Sequence, residues 1–227
     1  MLKKMNIRLE VFFLLAVPFL TGFTDLHNEL GVDAHIEASD HPSHSFFLET
    51  ERTLIRPLQP SDAEVIAEIL INDEVSRGCG RAYDLSSVAN YTSAPAPVRS
   101  NLNWKEPISL GIVLKDINKL IGLVRFGMKD TNLNSMSLGN LDSTSVGEIG
   151  YAISNEFSGR GITTEVVRRI SDFCFEDLGV QTLFAETLLS NIPSQRVLIK
   201  SGFTKVGEGV TSTGKAGAFY YLTRSRL

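Results

Sequence analysis

The sequence predicts an α/β sandwich, a mixed sheet with helices packed on it, and three observations carry the prediction. Residues 147–178 read as an apolar strand, a tight glycine turn and an amphipathic helix in immediate succession. Strand and helix patterns go on alternating after it, through residues 181–190 and 191–203. Ahead of it, the apolar runs 108–115 and 120–129 flank a short turn at Asp116, Ile117, Asn118 and Lys119, the signature of a hairpin.

In order, the chain opens with the shape of a secretory signal: Lys3, Lys4 and Arg8 precede the apolar run 11–20. The run is short and broken by Pro18, so no stable membrane insertion is expected. Residues 24–50 are polar and hold all four histidines, His27, His35, His41 and His44. Their irregular spacing, with no cysteine among them, favours a flexible linker over a metal site. Residues 1–50 therefore read as an apolar segment and linker, and residues 51–227 as the folded domain. With no histidine beyond His44, that domain cannot run a Ser–His–Asp or Cys–His mechanism of its own.

Residues 52–58 read as the first strand. Ser61, Asp62, Ala63 and Glu64 read as a capping box, opening a helix that buries Val65, Ile66, Ile69 and Leu70. Residues 73–104 are irregular, with a short helix near 87–91, and residues 131–145 form a polar loop, mobile by composition. In residues 147–154, Ile149, Tyr151 and Ile153 alternate with Glu148 and Gly150. From Ile162 the apolar positions are Val166, Val167, Ile170, Phe173, Cys174 and Leu178, one helix face that Gly179 ends. Residues 203–210 and 218–223 read as a closing pair of strands.

Between strand and helix, Gly159 and Gly161 flank Arg160. Glycines at a helix start leave backbone N–H groups unobstructed, and the helix dipole adds roughly half a positive charge there. That combination suits an anion, although a lone Gly-x-Gly pair also makes an ordinary turn. No Gly-Lys-Ser/Thr follows, which excludes a Walker A loop, and Thr164 stands where a dinucleotide fingerprint needs a small residue.

The totals narrow the function further. A formal charge of −4 leaves no broad basic footprint for nucleic acid. Two cysteines, Cys79 and Cys174, make no disulfide framework. Cys174 lies on the apolar helix face, whereas Cys79 sits in a Gly-rich turn.

Taken together, E-I-G-Y from Glu148, S-G-R-G-I-T-T-E from Ser158 and N-x-x-S-x-R-V-L-x-K-S-G-F from Asn191 resemble the GNAT superfamily of acetyl-CoA-dependent N-acetyltransferases. The branch they look most like contains the RimJ/RimL ribosomal-protein N-terminal acetyltransferases. The resemblance covers roughly residues 53–222 and implies a mixed, mostly antiparallel central sheet flanked by helices. It also implies acetyl-CoA as co-substrate, no metal, an amine acceptor, and a cytoplasmic monomer or homodimer. Export or tethering through residues 1–23 is the alternative location.

By resemblance, backbone N–H groups of Gly159, Arg160, Gly161, Ile162 and Thr163 cradle the coenzyme's pyrophosphate. The family's Gln/Arg-x-x-Gly-x-Gly/Ala is met at Gly161 but shows Ser158 and Thr163 at its flanks, and Thr163 would crowd the phosphate. The pantetheine arm would follow the backbone of Tyr151 to Ile153, with the Ile153 N–H facing the thioester oxygen. Asn191 would be both helix cap and coenzyme contact. Glu148, the one acidic residue of the central strand, matches the family's base. It is equally readable as an exposed strand residue. Many relatives place a tyrosine where this chain has Leu198; Ser194 matches the serine that RimL-like proteins use to assist the thiolate, although a serine in a first helical turn is more often simply a cap. An α-amine of pKa near 8 is roughly a tenth neutral at pH 7, a lysine only about once in 2,500, so a weak base suffices for a protein N-terminus. The rival function is a non-catalytic acetyl-CoA-binding module. A further rival is an exported chain that kept the fold and lost the cofactor.

Overall fold

The computed structural model describes residues 46–80, 82–92, 102–128 and 146–224, without the side chains of residues 73, 74 and 87. The signal-like segment, the four histidines and the polar loop at 131–145 lie outside the described residues.

Among the described residues eight strands form one sheet in the order β1-β2-β3-β4-β5-β6-β8-β7. They are β1 (Leu48–Glu49), β2 (Thr53–Pro57), β3 (Ile108–Leu114), β4 (Lys119–Met128), β5 (Val146–Ile153), β6 (Thr182–Leu188), β7 (Thr204–Val210) and β8 (Ala216–Thr223). Every neighbouring pair is antiparallel except β5 and β6, so the mixed, mostly antiparallel sheet is as expected. Among the described residues five α-helices flank it: α1 (Ala63–Ile71), α2 (Asp73–Cys79), α3 (Leu85–Thr92), α4 (Ile162–Glu176) and α5 (Ile192–Lys200).

Strand alternation sorts the side chains into two cores. Val124, Phe126, Ile149, Leu183, Ala218 and Tyr220 pack with α4 residues Val166, Val167, Ile170 and Phe173. On the other face, Leu123 and Ala152 pack with Ile66, Ile69, Leu70 and Val88 from α1 and α3. Burial of each such large side chain stabilises by about 1.5–3 kcal/mol. Gly179, at φ 70°, ends the α4 segment as its sequence requires.

Four expectations are corrected. Phe46 and Leu48 are buried in the first core, so the folded region begins ahead of Glu51. Residues 73–79 are helical as α2 rather than irregular, the short helix expected near 87–91 extends over 85–92 as α3, and Cys79 ends α2 instead of sitting in a loop. The Ser61 capping box does not form. A 3₁₀ turn, Pro60–Asp62, precedes α1, and Asp62 reaches back to accept the Gln59 N–H at 2.7 Å. Asp62 is held there by Arg56, whose guanidinium donates to both carboxylate oxygens at 2.7 and 2.9 Å.

Candidate active site

The site exists because two strands part. β5 and β6 pair only over Val146, Gly147 and Glu148 against Thr182, Leu183 and Phe184. Beyond Glu148, β5 stays with β4 as far as Ile153, and β6 stays with β8 as far as Leu188. A slot through the sheet opens between them. The Ser154 N–H donates to the Ile121 carbonyl of β4. Since N–H directions alternate along a strand, those of Tyr151 and Ile153 point the other way, into the slot. At its end Gln195 donates to the Leu188 and Leu189 carbonyls at 3.2 and 2.9 Å, taking the place of a missing strand.

β5 leads straight to the glycine turn. Gly159 and Gly161 both adopt positive φ, 75° and 79°, which turns the chain sharply into α4. Gly161 is the N-cap residue, and no side chain caps the helix. Among the described residues, none of the N–H groups from Gly159 to Thr164 finds an acceptor; Glu165, bonded to the Gly161 carbonyl, is the first that does. These orphan donors at a helix N-terminus fit a diphosphate. Arg52 braces the turn from outside, donating to the Arg160 carbonyl at 2.9 Å and pairing with Glu165 at 2.7 Å. The Arg160 guanidinium lies over the Phe157 ring, 5.3 Å from its centre. Thr163 is buried.

On the α4/α5 face, the Tyr151 hydroxyl lies 3.0 Å from Ser194 Oγ and donates to the Ser194 carbonyl at 3.2 Å. Burial pushes the phenol's pKa well above its ordinary value, against the smaller opposing pull of its Ser194 hydrogen bond. Asn191 caps α5, accepting the Ser194 N–H at 3.1 Å, while its amide donates to the Gly78 carbonyl at 2.9 Å. That second bond ties α5 to α2. Leu198 is buried, so no tyrosine-like donor stands at its position.

A cavity of about 310 Å³ runs through the slot, lined on the opposite face by Glu148, Gly150, Arg125 and Glu186, with Tyr83 and Tyr91 from the α2–α3 region, and on the α4/α5 face by Tyr151 and Ser194. Glu148 belongs to the last pair before the strands separate. Glu186 is committed to the Ser212 N–H at 3.0 Å and to the Ser212 hydroxyl. Glu148 and Ser194 therefore stand on opposite faces of the sheet and meet only through the slot. The Tyr151 hydroxyl, Gln195 and Arg125 are contributors that pattern reading missed. Arg125 did leave a signal, being the one charge inside the run Leu120 to Met128.

Among the described residues no group of three His, Cys, Asp or Glu side chains could hold a metal, and no helix is long and apolar enough to cross a membrane. Cys174, buried on α4, has its thiol pushed up to about 12 by burial and does not ionise near neutrality.

A slot edged by amide hydrogens, ending on a turn of unpaired N–H donors with an acidic residue across the sheet, suits a transferase whose donor carries a diphosphate. The chain belongs to the family described as Acetyltransferase (GNAT) domain, whose pattern matches residues 52–204, and it is an acetyltransferase that uses acetyl-CoA. It is 31% identical over 160 residues to the uncharacterized N-acetyltransferase YoaA of Bacillus subtilis, covering 70% of this chain and 84% of that protein. It is also 31% identical over 162 residues to YdaF of Bacillus subtilis, provisionally named a ribosomal N-acetyltransferase, covering 70% and 81%. A crystal structure of aminoglycoside acetyltransferase AAC(6')-Ib with coenzyme A superposes with a TM-score of 0.59 at 20% identity, covering 76% of this chain and 95% of that one. An acetyltransferase from Agrobacterium tumefaciens superposes with a TM-score of 0.62 at 22% identity, covering 78% and 94%.

Proposed function

We propose that the protein transfers the acetyl group of acetyl-CoA directly to a primary amine, a protein N-terminus or a small molecule, within a ternary complex. The observation that supports this best is the placement of Glu148 and the Tyr151–Ser194 pair on either side of one slot. A RimJ/RimL-like assignment rests on the Ser194 position and on the likeness to YdaF. The catalytic domain runs to the end of the described chain, and it works in the cytoplasm, where acetyl-CoA is made.

Acetyl-CoA supplies an activated acyl thioester. The backbone amides of Gly159, Arg160, Gly161, Ile162 and Thr163 hold its diphosphate, and Asn191 flanks it. The Tyr151 and Ile153 amides align its arm, with Ile153 donating to the carbonyl oxygen as negative charge develops there. Glu148 takes, through a water, the proton that the amine loses as its lone pair forms the C–N bond. Ser194 donates to the sulfur as the C–S bond breaks. No covalent acyl-enzyme is needed, and residues 51–227 contain no histidine to activate a nucleophile for one.

Glu148→Gln tests the assignment. Turnover should fall by about one to two orders of magnitude and the pH profile flatten, with acetyl-CoA affinity retained. Unchanged turnover would reduce Glu148 to a strand residue. Tight acetyl-CoA binding with no acetylation across an amine panel would instead favour the binding-module reading.

A further inference from the structure

We infer that Arg125 is an acceptor-recognition residue, and that the acceptor amine carries a carboxylate close to its nitrogen. This rests on the reading that the Glu148 face of the slot receives the amine.

Arg125 is exposed and lines the cavity beside Glu148. Its direct cross-strand neighbours are Ser109 on β3 and Gly150 on β5, so no counter-charge stands directly opposite it on either strand. Gly150 has open space where a Cβ would stand, which leaves room directly beside the arginine. Glu148 is its diagonal neighbour, with Cα atoms about 7–8 Å apart in such a ladder. No ion pair joins them among the described residues, where Arg125 forms neither a salt bridge nor a hydrogen bond. The other charged side chain on the cavity, Glu186, is held by Ser212. A cation is thus left facing the space that the acceptor enters.

A guanidinium offers a planar fork of donors that matches a carboxylate, and such charge-assisted pairs are stronger than neutral ones. With the acid bound there, the amine faces the neighbouring Glu148 position on the same sheet face. A polycationic acceptor, by contrast, would bring like charge against Arg125. The carboxylate could be that of a free amino acid or the acidic side chain of a peptide's first residue, and one experiment separates the two.

Steady-state kinetics of the full chain are measured with paired acceptors: L-glutamate against its α-amide, L-glutamate against L-glutamine, and Glu-Ala-Ala-amide against Gln-Ala-Ala-amide. The acid member of at least one pair should be preferred by about tenfold or more in kcat/KM. Arg125→Met should collapse that ratio toward one through KM, Arg125→Lys should keep part of it, and acetyl-CoA affinity should stay within about twofold in both. Preference in the first two pairs alone identifies a free amino acid; preference in the peptide pair identifies an acidic N-terminus. No acid preference, or one that survives Arg125→Met, overturns the inference while acetylation of the amides leaves the proposed function standing. Acetylation of no acceptor at all removes both.

Discussion

Tyr151 and Ser194, 43 residues apart in sequence, share a hydrogen bond of 3.0 Å between their side-chain oxygens, at the edge of the slot in the sheet. The phenol's one proton has two acceptors in reach, the Ser194 carbonyl and Ser194 Oγ; in the arrangement where it goes to Oγ, the serine hydroxyl is free to aim its own proton at an outside acceptor. The raised pKa of the buried phenol keeps that donor protonated across the working pH range. Tyr151 is on this reading a positioning residue.

Tyr151→Phe should therefore lower kcat by about tenfold while leaving acetyl-CoA affinity within a few-fold, the loss expected for one misdirected hydrogen bond. A thioester with a better leaving thiol should recover most of the rate, because it needs less help at sulfur. Ser194→Ala should behave alike, and the double variant should be no worse than either single one. Additive losses would show that the two hydroxyls act independently.

Gly161→Glu should abolish acetyl-CoA binding in titration calorimetry. It places a side chain on a residue with φ 79° and a negative charge on the anion cradle. Gly161→Ala carries the backbone strain without the charge, so a weaker effect there separates the two causes. Binding unaffected by either variant would put the diphosphate elsewhere.

Acid should expose the Arg56–Asp62 and Arg52–Glu165 pairs. Burial raises both carboxyl pKa values, but hydrogen bonds and charge overcome it: from Arg56 and the Gln59 N–H for Asp62, and from Thr50 and Arg52 for Glu165. Both end below their ordinary values. Their stabilising contribution is then complete above the unfolded carboxylate range near pH 4 and is lost as pH falls through the lower folded values. Asp62→Asn should cost about 1–3 kcal/mol in urea unfolding at pH 7, where a charged hydrogen-bonding partner is removed. The deficit should shrink toward pH 3; a deficit constant with pH would mean that packing, not charge, is what was lost.

Local patterns were the legible part of this fold. The α4 stripe from Ile162 to Cys174 is wholly buried because a period of 3.6 residues leaves its inward face no other option. The hairpin and the Gly179 and Gly202 stops likewise follow from short-range chemistry. Long-range facts were hidden. How far β5 pairs with β6 depends on competition between partners on either side, which no window of sequence contains. The Asn191–Gly78 bridge joins residues 113 positions apart. Arg125 was visible as an odd charge, yet its face is known only from the register that sets it opposite Gly150. Ser61 misled because Arg56, outside the capping window, captures Asp62 and moves the cap upstream.

An unpaired strand flank normally invites another chain to add itself, and proteins blunt such edges at the rim of a sheet. Here the unpaired flank of β5 lies in the middle of the sheet, between β4 and β6. A strand arriving from outside finds β6 and β8 in its way, whereas in the proposed function the slender arm of the coenzyme, bearing amides of its own, enters as a ninth, non-protein strand. The gap that makes the site is in this way also its guard against aggregation.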